Sequence, residues 1–260
     1  MELDDAYANA AYIPEGDSFP TKWETEAVAF RDMTEGAELD LAYGPAARQK
    51  LDLFRPQGQA KGLLIFVHGG FWRMLDKSYW SHLAAGALGR GWAVAMPSYT
   101  LCPEASIGGI TREIASAVSL AAGAVGGPIA LTGHSAGGHL VARMLARGML
   151  PETVAGRLSH VIPISPLSDL RPLMQTSMNA DFKLEEAEAV AESPIFMKDR
   201  VECPVTVWVG SAERPAFLDQ ARWLSEAWEC GLVKDAGKHH FDVVDGLADA
   251  ESEMLSILLG

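Results

Sequence analysis

The chain has 260 residues, 48% hydrophobic and 21% charged, a balance that suits one core-forming globular domain and excludes a disordered or fibrous chain. Its 34 acidic against 21 basic side chains leave a formal charge of -13 with no basic cluster to reverse that field, so nucleic acid and anionic membranes are excluded as partners. Three widely spaced cysteines, Cys102, Cys203 and Cys230, fit reduced thiols; with an acidic opening unlike a signal peptide and no run of 18 apolar residues, the expectation is a cytoplasmic chain outside the membrane.

In chain order, Leu39 to Tyr43 and Gln49 to Phe54 alternate apolar and polar residues around Gly44-Pro45, the pattern of an antiparallel edge hairpin. From residue 60 onward short apolar runs alternate with longer amphipathic ones. Leu63 to Val67 reads as a strand, and it ends in His68-Gly69-Gly70-Phe71-Trp72. A glycine pair after a buried strand lets backbone N–H groups approach a ligand unhindered, so Gly69 and Gly70 are candidate donors to a developing oxyanion. His68 lies at the donor end of such a site and is read as holding the loop by hydrogen bonds.

A helix near 78 to 90, a strand at Trp92 to Pro97 and a helix at Ile107 to Val125 follow. The strand Pro128 to Thr132 then meets Gly133-His134-Ser135-Ala136-Gly137-Gly138 and a helix over 136 to 148. This is G-x-S-x-G between strand and helix. By composition alone the bare pattern arises in about one chain in ten of this length, but the flanking elements supply the context it requires. A sharp turn there exposes the Ser135 hydroxyl, and the Ala136 N–H at the helix start joins the oxyanion donors. His134 and His139 ride on this turn and helix and are poorly placed to face the hydroxyl.

A strand at His160 to Ser165 leads into a variable segment, with 170 to 200 as a lid or cap candidate. The strand Pro204 to Val209 runs into Glu213 and a helix over 215 to 230, and a last helix falls near 247 to 258. Between them stands Gly237-Lys238-His239-His240-Phe241. Strands flanked by helices give an α/β class, a mostly parallel twisted sheet with helices on both faces in one domain. In the chain order nucleophile, acid, histidine, Ser135 is followed by Glu213 and then by His240, with His239 as its flanking polar neighbour. Asp219 sits deeper in its helix, and Asp242 is too near the histidine in sequence. Neither H-E-x-x-H nor a phosphate-binding glycine loop is present, so no metal and no cofactor are expected.

The His68 to Trp72 loop, the elbow at 133 to 138, His240-Phe241 and the stretch Ser165 to Leu173 with Asn179, Leu184 and Ser193-Pro194 together resemble the α/β-hydrolases of the arylformamidase (kynurenine formamidase) group, near the hormone-sensitive-lipase-like esterases. The resemblance spans roughly residues 60 to 245, with weaker support from Tyr7 to Pro20. It implies an α/β-hydrolase fold, Ser135 as nucleophile, His240 as base, Glu213 as acid, and Gly69, Gly70 and Ala136 as oxyanion donors. One departure stands: the group commonly has aspartate at the position of Glu213, so either the longer side chain substitutes or the acid lies elsewhere.

The implied substrate is a small N-formyl arylamide such as N-formylkynurenine, with Phe71, Trp72, Tyr79 and Trp80 as pocket walls, although core packing serves two of them equally well. A carboxylesterase for short acyl esters and a non-catalytic binding protein are the competing readings. The oligomeric state, a homodimer included, stays open.

Overall fold

In the computed structural model, which describes residues 1–260, eight strands form one sheet. In chain order they are β1 (Glu38–Ala42), β2 (Lys50–Phe54), β3 (Leu63–Val67), β4 (Ala93–Pro97), β5 (Ile129–His134), β6 (Leu158–Ile164), β7 (Thr206–Gly210) and β8 (Gly231–Asp235). The spatial order is β1-β2-β4-β3-β5-β6-β7-β8. β2 runs antiparallel to both of its neighbours, and every pairing from β4 through β8 is parallel. The fold is that of an α/β-hydrolase.

Nine α-helices connect and cover the sheet: α1 (Phe19–Met33), α2 (Ala85–Gly89), α3 (Ile107–Ala124), α4 (Ala136–Arg143), α5 (Glu152–Ala155), α6 (Asn179–Phe182), α7 (Glu186–Glu192), α8 (Pro215–Trp228) and α9 (Glu253–Leu259). Successive residues of a strand face opposite sides of a sheet, and β3 follows the rule. Leu63, Ile65 and Val67 join a core layer with α3, α4 and α8, whereas Leu64 and Phe66 join a second layer with α1, α2 and α9. No helix is long and apolar enough to cross a membrane.

The structure departs from the sequence-based expectations at five places. The expected helix near 78 to 90 is two 3-10 turns, Lys77–Tyr79 and Ser81–Ala84, followed by the short α2, where Gly86 and Gly89 weaken helix formation. The helix expected over 136 to 148 ends at Arg143, and the final helix shortens to Glu253–Leu259 behind a 3-10 turn at Asp245–Ala248. The helix α1 and the edge strand β8 were not anticipated.

What positions the site is the passage of α4 beneath the strand ends. All eight of its residues are buried. A Cβ at Gly137 would lie 1.9 Å from the Val67 carbonyl oxygen, and one at Gly138 would lie 2.8 Å from that of Ile164. Only glycine lets the helix come this close to β3 and β6.

Candidate active site

Six loops leave the carboxyl ends of the parallel strands β3 to β8, where α/β sheets gather their ligands. After β5, Ser135 takes φ 56° and ψ -114°, a conformation strained for a residue with a side chain. Its N–H donates to the Ile164 carbonyl at 2.8 Å, and its own carbonyl accepts from His139 at 3.1 Å. A serine at a helix start usually caps that helix, yet this hydroxyl makes no capping bond, so it stays free for chemistry. A Cβ at Gly133 would lie 2.4 Å from the Gly137 carbonyl oxygen, which explains the glycines on both sides of the elbow.

After β7, Glu213 is 6% exposed and both of its oxygens are engaged. Oε1 accepts from the Ser165 hydroxyl at 2.5 Å and from the Gly210 N–H at 2.9 Å. Oε2 accepts from His240 Nδ1 at 2.6 Å. This fixes the imidazole tautomer, leaving Nε2 as the nitrogen available to a partner in the cavity. The two loops are tied by Ala212 N–H donating to the Lys238 carbonyl at 2.9 Å. His240 is 3% exposed and packs against Phe217 at 4.2 Å and His134 at 4.5 Å between ring centroids. His239 turns the other way: its Nδ1 accepts from the Phe241 N–H at 3.1 Å, and its ring meets Phe19.

After β3, the glycine pair is braced from behind. The Tyr99 hydroxyl donates to the carbonyls of His68 and Gly69 at 3.0 and 3.2 Å, and the Tyr99 ring stacks on His68 at 4.3 Å. His68 Nδ1 donates to the Gly69 carbonyl at 2.7 Å, in keeping with a loop-holding role. Gly70 adopts φ +102°, and a Cβ there would strike the Met74 carbonyl oxygen at 2.3 Å. An ideal Cβ at Gly69 would lie 3.2 Å from that of Ser135, so loop and elbow face one another closely. Ala136 opens α4, where a first-turn N–H has no acceptor within the helix.

Burial holds the neighbouring imidazoles neutral. His68 and His139 are pushed down to about 4, burial being the largest cause in each. His134 lies well below the ordinary histidine range, first through burial and then through the charge His240 can carry.

Ser135, His134, His240 and Gly70 line a cavity of about 580 Å³ together with Phe71 and Trp80. The remaining sequence-predicted wall residues are a correction. Trp72 is fully buried beneath the loop, edge-on to His139 at 5.1 Å and Phe182 at 5.6 Å, and Tyr79 packs against the α1, α2 and α9 layer. Phe71 and Trp72 both have positive φ, 50° and 54°, yet the first lines the cavity and the second fills the core. The segment 170 to 200 contributes nothing to this wall either. Tyr7 to Ala11, Gly16, Asp17, Pro20 and Trp23 do so instead, with Met74, Leu75 and Phe241.

Ser165, Gly210 and this N-terminal wall escaped the sequence reading. Phe19, Trp23, Ala27 and Phe30 carry helical spacing that could have revealed α1; nothing local marks Ser165 as a partner of Glu213. A larger groove of about 870 Å³ lies elsewhere, between α3 and the end of α4. Two of its arginines are already paired, Arg143 with Glu192 and Arg147 with Asp199, and it holds none of the groups above.

Known proteins agree with this architecture. The family model described as alpha/beta hydrolase fold matches residues 64–231, and the chain belongs to that family. Kynurenine formamidase of Danio rerio is 27% identical over 85% of this chain and 80% of its own length, and that of Salmo salar is 26% identical over 91% and 87%. Among solved structures, a thioesterase candidate from Silicibacter sp. TM1040 is 57% identical over the whole of both chains, with a TM-score of 0.99. Thermogutta terrifontis esterase 2, 19% identical over 86% of this chain and 95% of its own, has a TM-score of 0.68 and shares the fold.

Proposed function

We propose that the protein is a serine hydrolase acting through an acyl-enzyme on small N-formyl arylamides. The observation that carries this reading is the buried His240 to Glu213 contact at 2.6 Å beside a strained, uncapped Ser135 on the wall of one cavity. Glutamate takes the acid role directly, its longer side chain being held by Ser165 and Gly210.

Ser135 Oγ attacks the formyl carbonyl while His240 Nε2 takes its proton. The oxyanion collects N–H bonds from Gly69, Gly70 and Ala136, and loss of one such donor costs about 3 kcal/mol of transition-state stabilisation. Glu213 steadies the imidazolium, which then gives its proton to the departing arylamine. Water, deprotonated by His240, cleaves the formyl-serine to formate and restores the hydroxyl.

The wall suits an aryl group. Phe71, Trp23, Trp80 and Phe241 offer ring surface, and Asp17 is its fixed charge, with no lysine or arginine among the lining residues. A neutral formanilide, or an aryl formamide with an ammonium group near Asp17, fits such a lining better than one presenting a free carboxylate. The kynurenine formamidase relatives support the formamidase reading at the level of sequence.

A second reading, hydrolysis of short oxygen or sulfur esters, uses the same groups and is favoured by the Silicibacter relative described as a thioesterase candidate. Ratios of kcat/KM for formanilide, N-formylkynurenine, p-nitrophenyl acetate and a short acyl thioester separate the two; a ratio strongly favouring the esters rejects the formamidase assignment. Covalent labelling by a fluorophosphonate, lost in Ser135→Ala, tests the nucleophile itself. Complete inertness of the wild-type chain would point to a binding protein on a hydrolase scaffold. With Ser135→Ala, turnover is expected to fall about 10⁴-fold or more at an unchanged melting temperature.

A further inference from the structure

The N-terminal stretch that walls the cavity carries one polar group in an unusual condition. Asn9 is 8% exposed, and its carboxamide oxygen has no hydrogen-bond partner in the protein. Buried acceptors are rarely left so, and the exceptions call for an explanation. Asn9 lines the main cavity, and it also lines a recess of about 20 Å³ bounded by Glu213 and His240. It therefore stands on the His240 side of the site. The stretch around it is held at both ends: the Tyr7 hydroxyl accepts from Gln220 Nε2 at 3.0 Å, and Tyr12 lies 3.6 Å beneath the Arg214 guanidinium, which also pairs with Asp5 at 2.7 Å.

In an acyl transfer the carbonyl oxygen turns toward the Gly69, Gly70 and Ala136 donors, so the leaving group lies toward His240, which must protonate it. When an amide carbonyl is attacked, the nitrogen becomes pyramidal and presents its lone pair to the imidazolium. Its N–H then diverges from that lone pair by roughly a tetrahedral angle, misses the imidazole itself and needs an acceptor beside His240. An ester oxygen has no hydrogen to offer and would set a lone pair against any acceptor waiting there. Resting on the hydrolase reading above, we propose that Asn9 is the residue that sets amide over ester preference, its side-chain oxygen accepting the scissile N–H as the tetrahedral species forms. A site built to pair a substrate N–H discriminates against the analogue that lacks it, because the buried acceptor is then left unsatisfied.

The test uses three substrates with the same formyl group and ring: formanilide, phenyl formate and N-methylformanilide. In Asn9→Leu and Asn9→Ala, the ratio of kcat/KM for formanilide to that for phenyl formate is expected to fall about tenfold or more, while the N-methylformanilide to phenyl formate ratio holds. Two variants of different volume guard against a simple packing effect, and melting temperatures report whether each is folded. Equal losses on anilide and ester, or a ratio that rises, would reduce Asn9 to a piece of wall and overturn the inference alone. A wild-type chain that turns over neither formanilide nor phenyl formate and resists fluorophosphonate removes the hydrolase reading beneath it, a result visible without any Asn9 variant.

Discussion

The cavity is enclosed by two kinds of chain. One side consists of loops leaving β3, β5 and β8, backed by those after β6 and β7, and these are fixed through backbone: Ser135 N–H on Ile164, Ser165 N–H on Trp208, Ala212 N–H on Lys238, and glycines at 133, 137 and 210 whose neighbours lie within 2.4 Å of where a Cβ would be. The other side, residues 7 to 23, is held to the body largely through side chains: Tyr7 on Gln220, Arg214 on Asp5 and Tyr12, and Trp23 against Trp80 at 4.5 Å. Backbone bonds and steric exclusion fix positions to fractions of an ångström, whereas side-chain contacts can be exchanged one at a time at modest cost. On the proposed function, the strand-end frame carries the reaction and the N-terminal wall the choice of substrate.

The largest expected effect tests the frame at its acid. Glu213→Gln keeps the shape and the Gly210 contact but presents a neutral group to His240 Nδ1, removing both the tautomer control and the charge opposite the imidazolium. A fall in kcat of about 10³ to 10⁴-fold is expected, with KM changing far less. If Asp242 or Asp219 were the acid instead, Glu213→Gln would cost little and the frame would need redrawing.

Next comes Gly137→Ala. Its methyl would meet the Val67 carbonyl oxygen at 1.9 Å and that of His68 at 2.7 Å, and both are backbone with nothing flexible to yield. A loss of about 4 kcal/mol or more is expected in urea unfolding, with activity falling alongside as Ser135 shifts. Ala→Gly changes in the N-terminal wall, at Ala8 or Ala10, should stay within about 1 kcal/mol, which is the contrast between the two regions expressed as stability.

A smaller effect follows from the histidines beneath the frame. His68 and His139 bind a proton at about 4 when folded, against an ordinary value of 6.5. Between those values the unfolded chain takes up more protons, so stability is full above pH 6.5, declines as pH falls toward 4 and levels off below it. Each residue contributes up to about 3 kcal/mol to that decline. The melting temperature measured from pH 7 to 4 should drop accordingly, and replacing both by glutamine should make the slope shallower, His82, His134 and His160 keeping the remainder because burial lowers them too. A flat wild-type profile would mean that neither ring is excluded from water.

The frame was legible in the sequence because the proposed chemistry constrains residue types: only glycine fits at 133 and 137, and that mechanism calls for a hydroxyl at 135 and an imidazole late in the chain. The wall was not, because apolar lining can be supplied from anywhere in the chain. Phe71 and Trp72 are adjacent aromatics that the sequence cannot tell apart, one lining the cavity and the other filling the core. Strand β8 was missed because it is an edge strand, with Gly231 and Lys234 exposed and no sustained apolar run. Segment 170 to 200 invited a lid reading by its irregular sequence, yet Leu173, Phe182 and Ala189 are anchored in the core.

The weakest perturbation probes the wall at its outer fastening. Arg214 follows the acid directly in sequence, yet its guanidinium faces outward to Asp5 and Tyr12, so one short loop serves both regions. Arg214→Gln removes the charge and keeps the stem, loosening the wall without touching the carboxylate that holds His240. Because exposed pairs of this kind contribute little, KM for formanilide should rise only about two- to threefold. Its kcat should move less than its KM, since the strand-end frame keeps its own bonds. A large drop in kcat with KM constant would show that the wall and the frame are mechanically one unit, and that selectivity and chemistry are not separately adjustable in this fold.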